Sequence, residues 1–72
     1  MITIASPIAG LVAAIEAAEG AAIEAGDTII IVESMKMEIP LLAPRNGVVR
    51  EVRVQPGSPV RAGQRVVVLE EV

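Results

Sequence analysis

The chain has 72 residues, no cysteine, histidine or aromatic residue, and a formal net charge of −3. That length suits one small domain, expected to span residues 1–72, and the missing thiols exclude a disulfide or thiolate framework. Dispersed arginines without aromatic stacking platforms argue against nucleic acid as a partner, and the apolar run 8–15 is far short of the roughly 20 residues of a membrane span, so we expect a soluble, cytoplasmic domain with no targeting segment and no membrane partner.

With 53% hydrophobic residues and none of them aromatic, the core must be built densely from Val, Ile, Leu, Ala and Met. In chain order, Ile2-Thr3-Ile4-Ala5 alternates as a short strand does, and Ser6-Pro7 closes it. Residues 11–25 are rich in strong helix formers and, read alone, would be assigned to a helix.

The second half overrides that assignment. Pro7, Gly10, Val12, Gly20, Ala25, Gly26 and Glu33 recur as Pro44, Gly47, Val49, Gly57, Ala62, Gly63 and Glu70, each 37 positions on and without a gap. Ile15 answers to Val52, Ile23 to Val60, and residues 29–32 to residues 66–69. Two copies of a repeat share one structure, and the second copy cannot be helical. Residues 48–54 are β-branched at nearly every apolar site, and Gln55-Pro56-Gly57-Ser58-Pro59 sets two prolines and a glycine where a helix would have to continue.

By correspondence, residues 11–17 are predicted as a strand, Ala18-Glu19-Gly20 as a turn and residues 22–24 as a short edge segment. Ala25-Gly26-Asp27 and Ala62-Gly63-Gln64 are equivalent turns, each opening a continuous apolar strand, residues 28–33 and 65–70. Gly20, Gly26, Gly57 and Gly63 are assigned turn positions with φ above zero. The half-repeats, about 6–33 and 43–70, predict an all-β sandwich with pseudo-two-fold symmetry, about four short strands in each half and the apolar faces buried between two sheets.

The turn between the halves, Met35-Lys36-Met37, has no counterpart in the second half, whose equivalent place is the chain terminus. Lys36 is the only lysine, and the other basic residues, Arg45, Arg50, Arg53, Arg61 and Arg65, are all arginines. A guanidinium is a poor nucleophile, whereas a lysine amine is acylated once deprotonated. A unique lysine in a tight central turn is a candidate attachment point rather than only a solvated side chain. Alternation around it would set Met35 and Met37 on one side, opposite the lysine, as shape-adaptable contacts for a partner. Core packing and Cu(I) ligation are the other roles open to a Met-x-Met pair. Glu33 and Glu38 read as solvated flanks, because no His, Cys or phosphate-binding loop is present to complete an active site with them.

These residues resemble the biotinyl/lipoyl attachment domain family, and the chain is similar to the short, thumbless biotin carboxyl carrier proteins. The resemblance rests on the Pro-x-x-Gly opening each half, the Ala-Gly turn before each last strand, the block Glu33-Ser34-Met35-Lys36-Met37-Glu38, and the restart Ala43-Pro44-Arg45-Asn46-Gly47-Val48-Val49. It implies a flattened barrel-sandwich hybrid of two four-stranded antiparallel sheets, the lysine at a hairpin tip and both termini near the other end.

It further implies that a biotin protein ligase joins biotin to Lys36 as an amide, using biotinyl-adenylate, with Met35 and Met37 as flanking recognition residues and Glu33, Ser34 and Glu38 as the motif flanks. A biotin carboxylase would then load a carboxyl group from bicarbonate, for delivery to a carboxyltransferase acting on an acyl-CoA or oxo-acid acceptor. On this reading the chain is a non-catalytic carrier, serving fatty-acid synthesis or another carboxylase. Ser34 stands where many such carriers have alanine. The gapless repeat leaves no room for the inserted thumb of some bacterial carriers, and no Pro/Ala-rich tether precedes Met1, so either a free-standing minimal carrier or an excised domain is expected. Two alternatives stay open. A lipoyl domain places its lysine in the same turn, typically as Asp-Lys-Ala, and the same sandwich also serves unmodified as an adaptor module.

Overall fold

A computed structural model describes residues 1–72. It contains eight strands and no helix: β1 (Ile2–Ala5), β2 (Gly10–Ile15), β3 (Ala22–Ile23), β4 (Thr28–Ser34), β5 (Met37–Leu42), β6 (Gly47–Val52), β7 (Pro59–Val60) and β8 (Arg65–Glu71). The helix-prone stretch 11–25 is thus strand, turn and short edge strand, as the repeat requires. Tertiary pairing has overridden local propensity there. β2 and β6 stop at Ile15 and Val52, short of the predicted 17 and 54, although Ala17 and Val54 still point into the core.

The strands form two four-stranded antiparallel sheets, ordered β1-β8-β6-β3 and β5-β4-β2-β7. Each order maps onto the other under the 37-residue offset. β1 answers to β5, β8 to β4, β6 to β2 and β3 to β7, so each sheet takes two strands from each half. Neither half can complete a sheet by itself.

The offset extends to individual hydrogen bonds. Val12 N–H donates to Ser58 O and Val49 N–H to Ala21 O; Ser6 N–H donates to Gln64 O and Ala43 N–H to Asp27 O. In the matched turns, the Asp27 side chain accepts from Glu24 N–H at 2.9 Å, and the Gln64 side chain accepts from Arg61 N–H at 2.9 Å. Gly20, Gly26, Gly57 and Gly63 all have φ between 85° and 93°, the left-handed region assigned to them.

The core lies between the sheets and is entirely aliphatic. Ile29, Ile30 and Val32 from one half face Val66, Val67 and Leu69 from the other, all fully covered, with Val12 and Val49 beside them. The runs are apolar without a break because the register shifts between Thr28 and Ile30, and at the equivalent place on β8. The extra residue of each bulge, Ile29 and Val66, lets two consecutive side chains enter the core. Pro40 lies in the middle of β5, which is an edge strand, where a residue without an N–H is tolerated.

Gly10 and Gly47 do something composition alone does not show. A Cβ on Gly10 would collide with the carbonyl oxygen of Glu33, and one on Gly47 with that of Glu70. Both glycines therefore let β2 and β6 approach the ends of β4 and β8 at backbone distance.

Candidate functional site

The hairpin of β4 and β5 gathers all six residues singled out in the sequence. Glu33 is paired with Glu38 and Ser34 with Met37, leaving Met35 and Lys36 as a two-residue loop. Met37 is the first residue of β5 rather than part of the turn. Both loop residues have positive φ, 52° at Met35 and 64° at Lys36, as a two-residue hairpin matched to strand twist requires. The strand's two-residue period does not run through this loop, where the backbone turns left-handed at Met35 and Lys36.

The positive φ values distinguish this turn from every other. Elsewhere each left-handed position is a glycine, whereas Met35 and Lys36 are the only non-glycine residues in that region. A side chain there costs roughly 1–2 kcal/mol per residue. Such strain concentrates at functional positions.

The loop is exposed on all sides. Met35 is 88% and Met37 58% accessible, which removes both from the core. Lys36, Glu33 and Glu38 are exposed as well, and Ser34 is half-buried. None of these side chains takes part in the protein's three salt bridges, which join Arg45 to Glu71, Arg50 to Glu70 and Arg53 to Glu51. The Lys36 amine is thus unencumbered at the end of a rigid hairpin.

The tip also stands at one end of a body measuring 34 × 17 × 17 Å. β4 ends beside Gly10, four residues after Ser6, whose N–H meets Gln64 at the start of β8. β8 runs from there to the opposite end, where Ile2 pairs with Leu69, so both termini lie away from Lys36. The surface has no pocket, and no group of three His, Cys, Asp or Glu side chains is disposed to hold a metal ion. What the arrangement offers is presentation: the one lysine side chain of the protein, exposed at the tip of a hairpin.

Two sheets joined through a pseudo-two-fold axis, with a lysine at the central hairpin, define a carrier domain of the barrel-sandwich type. Residues 1–69 match the biotin/lipoyl attachment family described as "biotin-requiring enzyme", and the chain belongs to that family. Its members carry a cofactor rather than catalyse. Among solved structures, the chain is similar to part of a single-chain, multi-domain long-chain acyl-CoA carboxylase, with 32% identity and a TM-score of 0.93 over 99% of its length. It is similar to part of the Kluyveromyces lactis urea carboxylase, with 35% identity and a TM-score of 0.91 over 96% of its length. The chain spans only 7% and 6% of those two proteins. It also matches the lipoyl domain of the Azotobacter vinelandii 2-oxoglutarate dehydrogenase complex, with 27% identity, a TM-score of 0.84, and coverage of 99% of this chain and 98% of that one.

Sequence reasoning located the hairpin but missed the close approach of Gly10 to Glu33 that braces its base. The recurrence of Gly10 at Gly47 was the available signal. It also missed the difference between the outer faces of the two sheets, which emerges only once strand order is known.

Proposed function

We propose that the chain is a biotin carboxyl carrier: Lys36 accepts biotin from a biotin protein ligase and presents it to the biotin carboxylase and carboxyltransferase sites of a biotin-dependent, acyl-CoA-type carboxylase. The observation that carries this reading is the strained Met35-Lys36 loop. It is the one turn where the chain keeps side chains at left-handed positions, and the side chains kept are the unique lysine and an adjacent methionine.

The residues present fit a covalently held cofactor. The Lys36 amine has no intramolecular partner, the loop around it is open, and the exposed thioethers of Met35 and Met37 offer soft, adaptable contact to whichever protein receives the tip. A free lysine amine is protonated at neutral pH. The ligase must therefore supply the base that takes the proton before the amide forms. When bound, biotin supplies a ureido nitrogen able to carry a carboxyl group. The chain's own contribution is to hold Lys36 in one orientation and to raise the cofactor's effective concentration at each partner.

The similarity to a lipoyl domain supports one alternative, in which Lys36 carries lipoate instead. Met-Lys-Met in place of the Asp-Lys-Ala typical of lipoyl domains favours biotin. Intact mass of the protein from cells containing both biotin and lipoate ligases, with the modified residue located by fragmentation, decides between them. A biotinyl adduct on Lys36 supports the proposal, and a lipoyl adduct or an unmodified chain overturns it.

A further inference from the structure

The pseudo-two-fold axis places equivalent residues on the outer faces of the two sheets, yet their chemistry differs. On β1-β8-β6-β3 the outward residues include Thr3 and Ala5, and all three salt bridges of the protein join residues on or beside β6 and β8. On β5-β4-β2-β7 the equivalents of Thr3 and Ala5 are Pro40 and Leu42, and no ion pair is present. Pro59 lies beside Leu11, Leu11 beside Glu33, and Ile31 beside Pro40, each pair on neighbouring strands. Leu11 is 50% and Leu42 51% accessible. The position of Arg50 is taken by Ala13, so none of the four strands carries an arginine; Arg61 follows the edge strand β7, and the carboxylates Glu33 and Glu38, on β4 and β5, form no salt bridge at the end nearest the tip.

We propose that the outer face of the β5-β4-β2-β7 sheet docks the domain onto its biotin carboxylase, against an apolar patch rimmed by arginine or lysine. This rests on the carrier reading of Lys36. An apolar centre with a polar rim is the anatomy of a protein interface, and this one is continuous with the hairpin that must enter the partner. The rim fixes the sign of the partner's charge. Glu33 and Glu38 form no salt bridge, and the cation that shares their hairpin, Lys36, loses its charge when it becomes an amide, whereas a carboxylase that holds ATP and bicarbonate gathers positive charge around its entrance. A second copy of the chain fits poorly, since face-to-face association would bring carboxylates against carboxylates. Docking by one face would also settle which way the tip enters, which the near-symmetric body alone leaves undetermined.

The axis supplies matched controls for the test. Leu42→Arg sets a cation on the proposed face far from the tip, and Ala5→Arg sets the same cation at the pseudo-two-fold mate on the other face, which pairs with Arg65 at the tip end of the body and is therefore the more stringent control. Each variant is biotinylated at Lys36, verified by mass, and titrated as substrate of the biotin carboxylase of the same organism. The expected result is that both take biotin equally, that Leu42→Arg raises KM about tenfold with kcat unchanged, and that Ala5→Arg leaves KM unchanged. Glu33→Gln with Glu38→Gln should raise KM as well and flatten its dependence on salt.

A wild-type chain that takes no biotin overturns the carrier reading and this proposal together. A biotinylated Leu42→Arg chain with unaltered KM overturns the docking face alone. So does an effect confined to the carboxyltransferase step or to the ligase, or a wild-type dimer in sedimentation that Leu42→Arg dissolves.

Discussion

Glu33 and Glu38 stand directly opposite each other across β4 and β5 with no cation between them, whereas Glu70, which holds the place of Glu33 in the other half, is bonded to Arg50. Like charges facing across strands are destabilising by roughly 0.2–1 kcal/mol. Retaining them beside the tip is therefore a cost to the fold that a cationic partner can offset. We expect Glu38→Gln to raise stability by up to about 1 kcal/mol in urea titrations at low ionic strength, with the gain shrinking as salt screens the pair. An equal gain at high salt would show that repulsion is not its source.

Lys36 separates chemistry from folding. Lys36→Arg keeps the charge and the backbone, so it should unfold at the same denaturant concentration as the wild type while carrying no biotin, because a guanidinium is not acylated. Lys36→Gly should also carry none but be more stable by about 1–2 kcal/mol, since it relieves a left-handed side chain at φ 64°. Mass spectrometry and equilibrium unfolding of the two variants together test both halves of this expectation. Biotin found on either variant would move the attachment point elsewhere.

The flanking methionines should behave as surface residues. At 88% and 58% accessibility, Met35 and Met37 bury too little to matter to the core, and each substitution by alanine is expected to cost well under 1 kcal/mol. Leu69→Ala, at a fully covered position, should cost about 2–5 kcal/mol. The same variants read in a biotinylation assay should reverse the order, with Met35→Ala or Met37→Ala slowing modification more than Leu69→Ala does under conditions where all are folded.

Much of this architecture was legible because the sequence is nearly two copies of one pattern. Val49 and its neighbours could not be helical, and that excluded a helix around Val12 despite its alanines. The four turn glycines were legible from their matched spacing, and Lys36 from being the only lysine. The exact extent of the central turn was not, because Met37 is as good a turn flank as a strand residue until its pairing with Ser34 is seen. Nor was the character of the two outer faces. Whether Leu11 and Leu42 join Pro40 on one surface depends on which strands are neighbours, and local periodicity does not contain that information.

Gly10 and Gly47 give a last test, one that connects the body to the tip. An alanine at either would thrust its Cβ into a backbone carbonyl, of Glu33 or of Glu70, which cannot swing aside as a side chain would. Each substitution should cost about 1–3 kcal/mol, the range for overpacking. The two differ in consequence, because Glu33 lies at the base of the Lys36 hairpin and Glu70 at the opposite end of the body. At temperatures where both variants remain folded, Gly10→Ala should slow biotinylation of Lys36 and speed amide exchange in the β2–β4 pairing, whereas Gly47→Ala, equally destabilised, should be modified at the wild-type rate. Equal rates for the two would mean that the close approach at Gly10 supports only the fold and has no part in setting the tip.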